Sequence, residues 1–470
     1  MRVLDVDYLV VGAGASGMAF TDTLVTESGA NVLMVERRHR PGGHWNDGYP
    51  FVRLHQPSAY YGVNSRPLGR DSIDQLGPNS GFYERASGAE VCDYYQRVLD
   101  EDLLASSQVR FYGMHDYVGR MSAEHQVVNR LTGEVTNVRV RHKLVDATYL
   151  ETSLPSTHAP SFDVESNARL VTPNELVGLT RPASGYTVIG AGKTSMDTCN
   201  WLLDNGVPPE AIRWIRPRDP WTLDRFFWQP LALLPWLMEG VSRQVEAAAE
   251  AADPADLFGR LEACGQFIRL DPEVRPATFR GAILSAVERE RLGQIENVVR
   301  QGRVLRIGTD EIVLKEGSIP TDGGQVHVDC TAAGLNRAPI RPVFEPGRVT
   351  LQWLQWGVLP FSAALIGFIE ATRDSDTDKN WLCPPSPPLG EAAHWVRALD
   401  VTLRSQVTWQ SDPEIAGWME RSRLNVARGV SEHVDDPRMQ SALGRYLANV
   451  QPALANLEQL CKQLEALATT

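Results

Sequence analysis

Two glycine-rich turns, each set between a short apolar run and a helix-periodic stretch, and a long helical tail predict an α/β protein. The expected architecture is two parallel-sheet domains of the three-layer ββα kind followed by a helical C-terminal region. The first turn carries most of this prediction. Asp7-Tyr8-Leu9-Val10-Val11 ends abruptly in Gly12-Ala13-Gly14-Ala15-Ser16-Gly17, and apolar residues then recur at helical spacing over 18–25. A second β-branched run, 31–35, closes on Glu36-Arg37, and Pro41-Gly42-Gly43-His44-Trp45 follows soon after.

A Rossmann-like dinucleotide site asks for each of these parts. Gly12 permits the tight turn, Gly14 lets the backbone approach a pyrophosphate, and Gly17 lets helix and strand pack closely. Ala15 and Ser16 open the helix, whose unpaired N–H groups and partial positive charge favour phosphate. Glu36, about 20 residues further on, suits a ribose diol through its two acceptor oxygens. A carboxylate at that place repels a 2′-phosphate, so this turn favours FAD or NAD(H) over NADP(H).

A chain of 470 residues exceeds one ordinary core, and more than one domain is expected. Residues 1–170 with 326–390 are expected to form a discontinuous FAD-binding domain, 171–325 an NAD(P)H-binding domain with a helical insert, and 391–470 a helical C-terminal region. The hydrophobic fraction of 43% and charged fraction of 22% are ordinary for a globular protein. A net charge of −12 supplies no basic field for nucleic acid or an anionic membrane. No run of about 20 apolar residues predicts a membrane span, and Met1-Arg2-Val3-Leu4-Asp5 leads into the first strand without a leader, so a cytoplasmic protein is expected. The six cysteines, Cys92, Cys199, Cys264, Cys330, Cys383 and Cys461, form no CxxC and no zinc-type cluster, which predicts reduced thiols and excludes a disulfide reductase. His39 and His44 lack metal-site spacing, and neither a hydrolase nor a metalloenzyme is supported.

Past the first turn, 51–81 is rich in Pro, Gly, Ser, Tyr and Asn and reads as a long structured excursion. A helix is expected over 84–104, and the short alternating runs 108–112, 126–129 and 135–140 suggest a small antiparallel insert closing over the nucleotide. The second turn then repeats the opening: Tyr186-Thr187-Val188-Ile189, Gly190-Ala191-Gly192-Lys193-Thr194-Ser195, a helix over 196–203, and a strand over 212–215 ending in Arg216-Pro217-Arg218. A phosphate loop of the Walker type would need glycine where Thr187 stands, so a second dinucleotide turn is the better reading. Ser195 occupies the place of the third glycine. Where the first domain has Glu36, the second has Arg216 and Arg218, whose guanidinium groups suit a 2′-phosphate; solvated loop charges are the alternative.

From 221 to 286 the chain is helical and aromatic. Trp221, Phe226, Phe227, Trp228 and Trp236 form either core or the wall of a pocket. The run 326–334 ends a strand in small residues, with Ala333 and Gly334 placed to let the backbone approach a cofactor, although a tight turn alone selects the same residues. Leu359-Pro360-Phe361-Ser362 begins a further helix with Ser362 as its expected N-cap, and such a start can face the flavin ring. Leu454, Leu457, Leu460, Leu464 and Leu467 form a stripe that covers either this chain's own core or a partner's surface, as in a homodimer.

These residues together resemble the class B flavoprotein monooxygenases, the flavin-containing and Baeyer–Villiger monooxygenases. The matching pieces are Gly12, Gly14, Gly17 and Glu36, the Gly42-Gly43-His44-Trp45 stretch that looks like the family's GGxW, the second glycine turn followed by Arg216, and the segment 329–334, similar to the family's strand ending in Ala-Thr-Gly. The resemblance implies that FAD is reduced by NADPH, that molecular oxygen then forms a flavin C4a-peroxide, and that oxygen is inserted into a small organic substrate. It also implies that Gln56, in Leu54-His55-Gln56-Pro57-Ser58, supplies the amide that approaches the peroxide, with His55 as the neighbouring proton shuttle. Two departures stand out: Phe162 is followed by neither Gly nor His at the spacing of the family's F-x-G-x-x-x-H linker, and Ser195 replaces a glycine. The rivals are an FAD-dependent NAD(P)H dehydrogenase or oxidase without oxygen insertion, and a redox-sensing flavoprotein.

Overall fold

The computed structural model describes residues 3–121, 124–335, 338–388, 390 and 392–468. The strand Val3–Val11 lies parallel to and between Val32–Glu36 and Val135–Asp146, with the helix Ala15–Glu27 making the crossover that parallel pairing requires. Val109–Gly113 extends the sheet on one side and Arg348–Thr350 on the other. The two faces of this sheet are covered differently. Tyr8, Val10 and Met34 pack with the helix Ala15–Glu27 and the helix Leu359–Thr372, while Leu9, Leu33 and Val35 meet Val127 and Val138 of an antiparallel ribbon. The insert expected to close over a nucleotide is therefore the third layer of the domain, held on the back of the sheet by its own apolar alternation.

The second turn is built into a separate, all-parallel sheet in the order Val298–Val299, Ile212–Ile215, Tyr186–Ile189, Val326–Asp329 and Leu170–Val171. One face packs Val188 and Trp214 against Met196 and Leu292 of two helices, and the other packs Ile189 and Ile215 against Ile307, Ile312 and Leu314 of a ribbon. This too is a ββα sandwich. Val326–Asp329, expected with the first domain, pairs with Tyr186–Ile189 instead. Neighbours in a parallel sheet are set by long crossovers, which a local run of residues does not reveal.

A third core joins two regions that the sequence keeps apart. The small sheet of Pro220–Asp224, Phe267–Ile268 and Thr278–Leu284 and the helices Leu234–Glu250 and Pro254–Ala263 pack against the C-terminal helices Ala392–Ser411 and Pro437–Ala468. Trp221, Phe258, Phe267, Phe279 and Trp395 interleave there with Leu457 and Leu460. Leu454 and Leu464 flank the same core, so the leucine stripe covers this chain's own interior; the side chain of Leu467 lies outside the described residues. Among the described residues no helix is long and apolar enough to cross a membrane.

Candidate functional site

At the first turn the glycines do what the spacing requires. Gly12 sits at φ +100°, and its N–H donates to Val35 O at 2.8 Å. A Cβ on Gly17 would lie 2.0 Å from Gly12 O, so no other residue fits there. Gly43, at φ +56°, faces Gly14, and a Cβ on it would stand 2.9 Å from Gly14 Cα. The helix that starts at Ala15, with Ser16 buried in its first turn, has no side-chain cap on Gly14, so its first N–H groups stay available. Glu36 is only 3% exposed; its Oε2 accepts from Ala13 N at 2.8 Å and its Oε1 from Arg38 N at 3.0 Å and Arg38 Nη1 at 3.5 Å. Oε2 keeps a further lone pair for a ribose hydroxyl. Arg37 is not gathered into this site: it is exposed and ion-paired with Glu151. His44 stacks on Trp45, whose Nε1 donates to Tyr61 OH at 2.7 Å; burial, then the nearby Arg38, brings the His44 pKa down to about 4. The two facing glycine backbones and the buried acid fit the adenosine and pyrophosphate half of FAD.

The second turn follows the same plan. Gly190 N–H donates to Ile215 O at 3.0 Å, and a Cβ on Gly190 would lie 3.2 Å from Cys330 O. A Cβ on Gly192 would meet nothing within 4 Å, which leaves open space before the uncapped start of the helix Lys193–Asp204. Ser195 is fully buried, and its hydroxyl donates to Gly192 O at 2.7 Å, so it stands where a third glycine would and pins the turn it follows. Thr194 O accepts from Thr198 Oγ1 at 2.8 Å. Lys193 does not reach out of the turn as a phosphate-loop lysine would; it ion-pairs one helical turn on, with Asp197. The turn fits a second dinucleotide.

Arg216 is 3% exposed, ion-paired with Asp219 and stacked over the Trp214 ring at 4.7 Å from its centroid, so it is not a solvated loop charge. Burial lowers its pKa, and Asp219 works against that. Arg218 is exposed.

Between the two turns runs the segment that leaves Trp45. Tyr49 is buried and donates to Asp197 Oδ2 at 2.7 Å, and Phe51 stacks on Trp201 at 5.0 Å. Asn174 Nδ2 donates to the carbonyls of Asp47 and Gly48, each at 3.1 Å. His55 and Gln56 follow, both half-buried, and Gln56 Nε2 donates to Gly357 O at 3.5 Å. Trp228 packs on Gly357 and lies edge-on to Trp356 at 5.7 Å. Of the aromatic residues singled out by sequence, Trp228 packs at Gly357, the partner of Gln56, whereas Trp221 is core, and Phe226, which meets Phe227 edge-on, stacks on Trp236 at 4.4 Å beside Arg438.

A buried Arg–Glu–Arg group supports the same segment. Arg85 Nη2 and Arg225 Nη2 reach the two oxygens of Glu288 at 3.2 and 2.6 Å, and Arg85 Nη1 donates to Leu54 O at 3.1 Å. Burial alone would raise the Glu288 pKa; Lys193, Arg225 and Arg85 more than offset that and bring it to about 2. Burial first, then Lys193, lowers the pKa of His55 to about 3. At neutral pH His55 is therefore an uncharged imidazole. Tyr49, Asp197, Arg85, Arg225 and Glu288 carried no sequence signal, because their partners lie far away along the chain.

Two expected contributors lie elsewhere. The helix Leu359–Thr372 begins one turn earlier than expected, after Val358, so Ser362 is not its N-cap. Ser362 is fully buried, its Oγ accepting from Leu354 N at 3.2 Å and Gln355 N at 3.3 Å, and Phe361 packs between Trp409 and Trp418. Pro360 favours the first turn of a helix, and that preference places the start ahead of the serine. Ala333 is exposed, and Gly334, at φ +72°, pairs with Ser153 in a two-stranded crossing.

Residues 10–62 match the family model described as an NAD(P)-binding Rossmann-like domain. Over its full length the chain is 41% identical to an uncharacterized protein of Mycobacterium tuberculosis, covering 100% of this chain and 86% of the relative. Among solved structures it is similar to a flavin-containing monooxygenase from Stenotrophomonas maltophilia, at 13% identity and a TM-score of 0.46 over 78% of this chain and 97% of that one. It is also similar to an oxidized steroid monooxygenase bound to NADP, at 14% identity and a TM-score of 0.49 over 98% of each chain.

Proposed function

We propose that this chain, which belongs to the same family as its Mycobacterium tuberculosis relative, is an FAD-dependent, NADPH-using oxidoreductase of the class B flavoprotein monooxygenase type. In this reading it acts in the cytoplasm and transfers one oxygen atom of O₂ to a small organic substrate. The observation that carries the reading is the presence of two glycine turns, the second with Ser195 in the third place, linked by the Tyr49–Asp197 hydrogen bond. A protein with a single nucleotide would need one such turn; a reductant and a flavin need two that face each other.

FAD, when bound, supplies two-electron acceptance and the activation of oxygen. The chain's own residues do the rest. Glu36 holds the ribose of FAD, and the helix start at Ala15 and the facing Gly14 and Gly43 take its pyrophosphate. The turn at Gly190 to Ser195 takes the pyrophosphate of NADPH, and Arg216 takes its 2′-phosphate. Gln56 offers an amide at Gly357 and His55 beside it an uncharged imidazole, and Trp228 and Trp356, which pack there, would shield a bound flavin from water.

The test uses FAD-loaded protein reduced with NADPH without air, then mixed with isotope-labelled oxygen and either methyl phenyl sulfide or cyclohexanone. Label in the sulfoxide or lactone supports the reading. NADPH consumption that yields only hydrogen peroxide favours an oxidase, and no bleaching of the flavin by NADPH sinks the proposal.

A further inference from the structure

Arg216 does not stand alone at the edge of the second sheet. Ile215 and Val299 are register partners in adjacent parallel strands, so the next residues, Arg216 and Arg300, leave the sheet side by side at its carboxyl edge. Arg216 N–H donates to Val299 O at 2.9 Å, which fixes that pairing. One carboxylate then serves both side chains. Asp219, 4% exposed, ion-pairs Arg216 through Oδ1 and accepts from Arg300 Nε through Oδ2 at 2.9 Å, while Arg300 Nη2 donates to Asp271 at 2.7 Å. Arg216 Nε is sealed from solvent, whereas its two terminal nitrogens make no hydrogen bond among the described residues and are not sealed in the same way. A guanidinium held along one edge and stacked on Trp214 presents its fork in one direction, which is what recognition of a phosphate requires.

We propose that Arg300 is a second ligand for the 2′-phosphate of NADPH and that Asp219 is the residue that aims both guanidinium groups at it. The inference rests on the reading of the second turn as an NADPH site. Arg216, Arg300, Asp219 and Asp271 sum to zero charge, so without Asp219 two buried or half-buried arginines would repel each other apart. With it they are held close enough to share one phosphate. Arg218, exposed beside them, adds one positive charge to the rim.

The test is calorimetric titration of the full-length, FAD-loaded protein with adenosine 2′,5′-bisphosphate and with 5′-AMP, two probes that differ only in the 2′-phosphate. The unmodified protein is expected to prefer the bisphosphate by about tenfold or more. R300Q and D219N should each lose most of that preference while binding 5′-AMP as before, and R300K should recover part of it. Weak binding of both probes by R300Q, with R300K also weak, would mean a folding defect and overturn the ligand role. Full preference retained by R300Q overturns the proposal while leaving the NADPH reading intact. An unmodified protein that does not distinguish the probes removes the 2′-phosphate reading of this turn, and the inference with it. The ratio of kcat/KM for NADPH to that for NADH should move in parallel with the binding preference.

Discussion

Tyr49 donates its hydroxyl to Asp197 Oδ2 at 2.7 Å across 148 residues of chain, while Lys193 ion-pairs the other oxygen of the same carboxylate. Asp197 therefore stands between the segment that leaves the first nucleotide turn and the first residue of the helix that follows the second. In the proposed reading, a phosphate at the second turn would compete with Asp197 for Lys193 and would thereby alter the partner of Tyr49.

Y49F should expose that link. The phenylalanine keeps the ring and its burial but leaves a carboxylate oxygen short of a donor, at a cost of about 1–3 kcal/mol. FAD content should stay at its normal level, because the Tyr49 hydroxyl bonds to Asp197 of the second domain and not to the first turn. The KM for NADPH should rise several-fold with a smaller change in kcat. An unchanged KM, measured by steady-state oxidation of NADPH, would count against the coupling.

G43A should abolish flavin binding. A methyl group there would lie 2.9 Å from Gly14 Cα in a backbone with φ +56°, so the two turns must separate. Gly29→Ala is the control, since its Cβ would meet nothing within 4 Å. The expected result is a folded but colourless G43A protein beside a yellow Gly29→Ala protein, read by visible absorbance after reconstitution with FAD. Equal flavin content in the two would show that the Gly14 and Gly43 contact is not part of the site.

Three buried or half-buried histidines are expected to weaken the fold as the pH falls. Burial is the main cause in each: His55 is brought to about 3, His44 to about 4 and His327 to about 4, against an ordinary value near 6.5. Between about pH 6.5 and pH 4 the unfolded chain binds more protons at these sites than the folded one, so stability rises with pH and is lost as pH falls through that window. The slope approaches about 4 kcal/mol per pH unit if all three contribute, at about 1.4 kcal/mol per proton. H55N should remove roughly a third of it. Urea unfolding at several pH values checks both statements, and a flat profile over that window would contradict them.

What the sequence made legible was local. Gly12, Gly14, Gly17 and Glu36 lie within one strand, turn and helix and the strand that follows, and the backbone geometry of the turn follows from spacing. Asp219 stands three residues from Arg216, near enough to notice, yet its importance depends on Arg300, which arrives from the neighbouring strand. Tyr49 and Asp197, like Arg85 and Glu288, meet only because two domains dock, and no periodic pattern records a docking. Ser362 shows the opposite failure, in which a local rule pointed to a cap and the buried turn at Leu354 and Gln355 claimed the hydroxyl instead. The tail looked separable because its leucine stripe is complete in itself; the stripe's partner, the helix Leu234–Glu250, begins more than 200 residues earlier and ends in the alanines 247–249, which give little outward sign of a mate.

That partnership can be tested against the alternative of a partner chain's surface. Leu457 is fully buried in the same core as Phe267, Phe279 and Trp395. L457D would place an unpaired carboxylate there and remove the leucine's packing, a loss of about 4 kcal/mol or more. If the stripe is core, the thermal midpoint should fall by the same amount at low and high protein concentration, and the variant should show no change in mass by light scattering before it unfolds. If the stripe instead joined two copies, L457D would convert a dimer into a stable monomer with little loss of melting temperature at low concentration. The close packing of the helix Pro437–Ala468 along Leu234–Glu250, with Asn456 Nδ2 donating to Ala248 O at 2.9 Å and to Ala251 O at 2.7 Å, favours the first outcome, because the end of Leu234–Glu250 is already capped from within the chain.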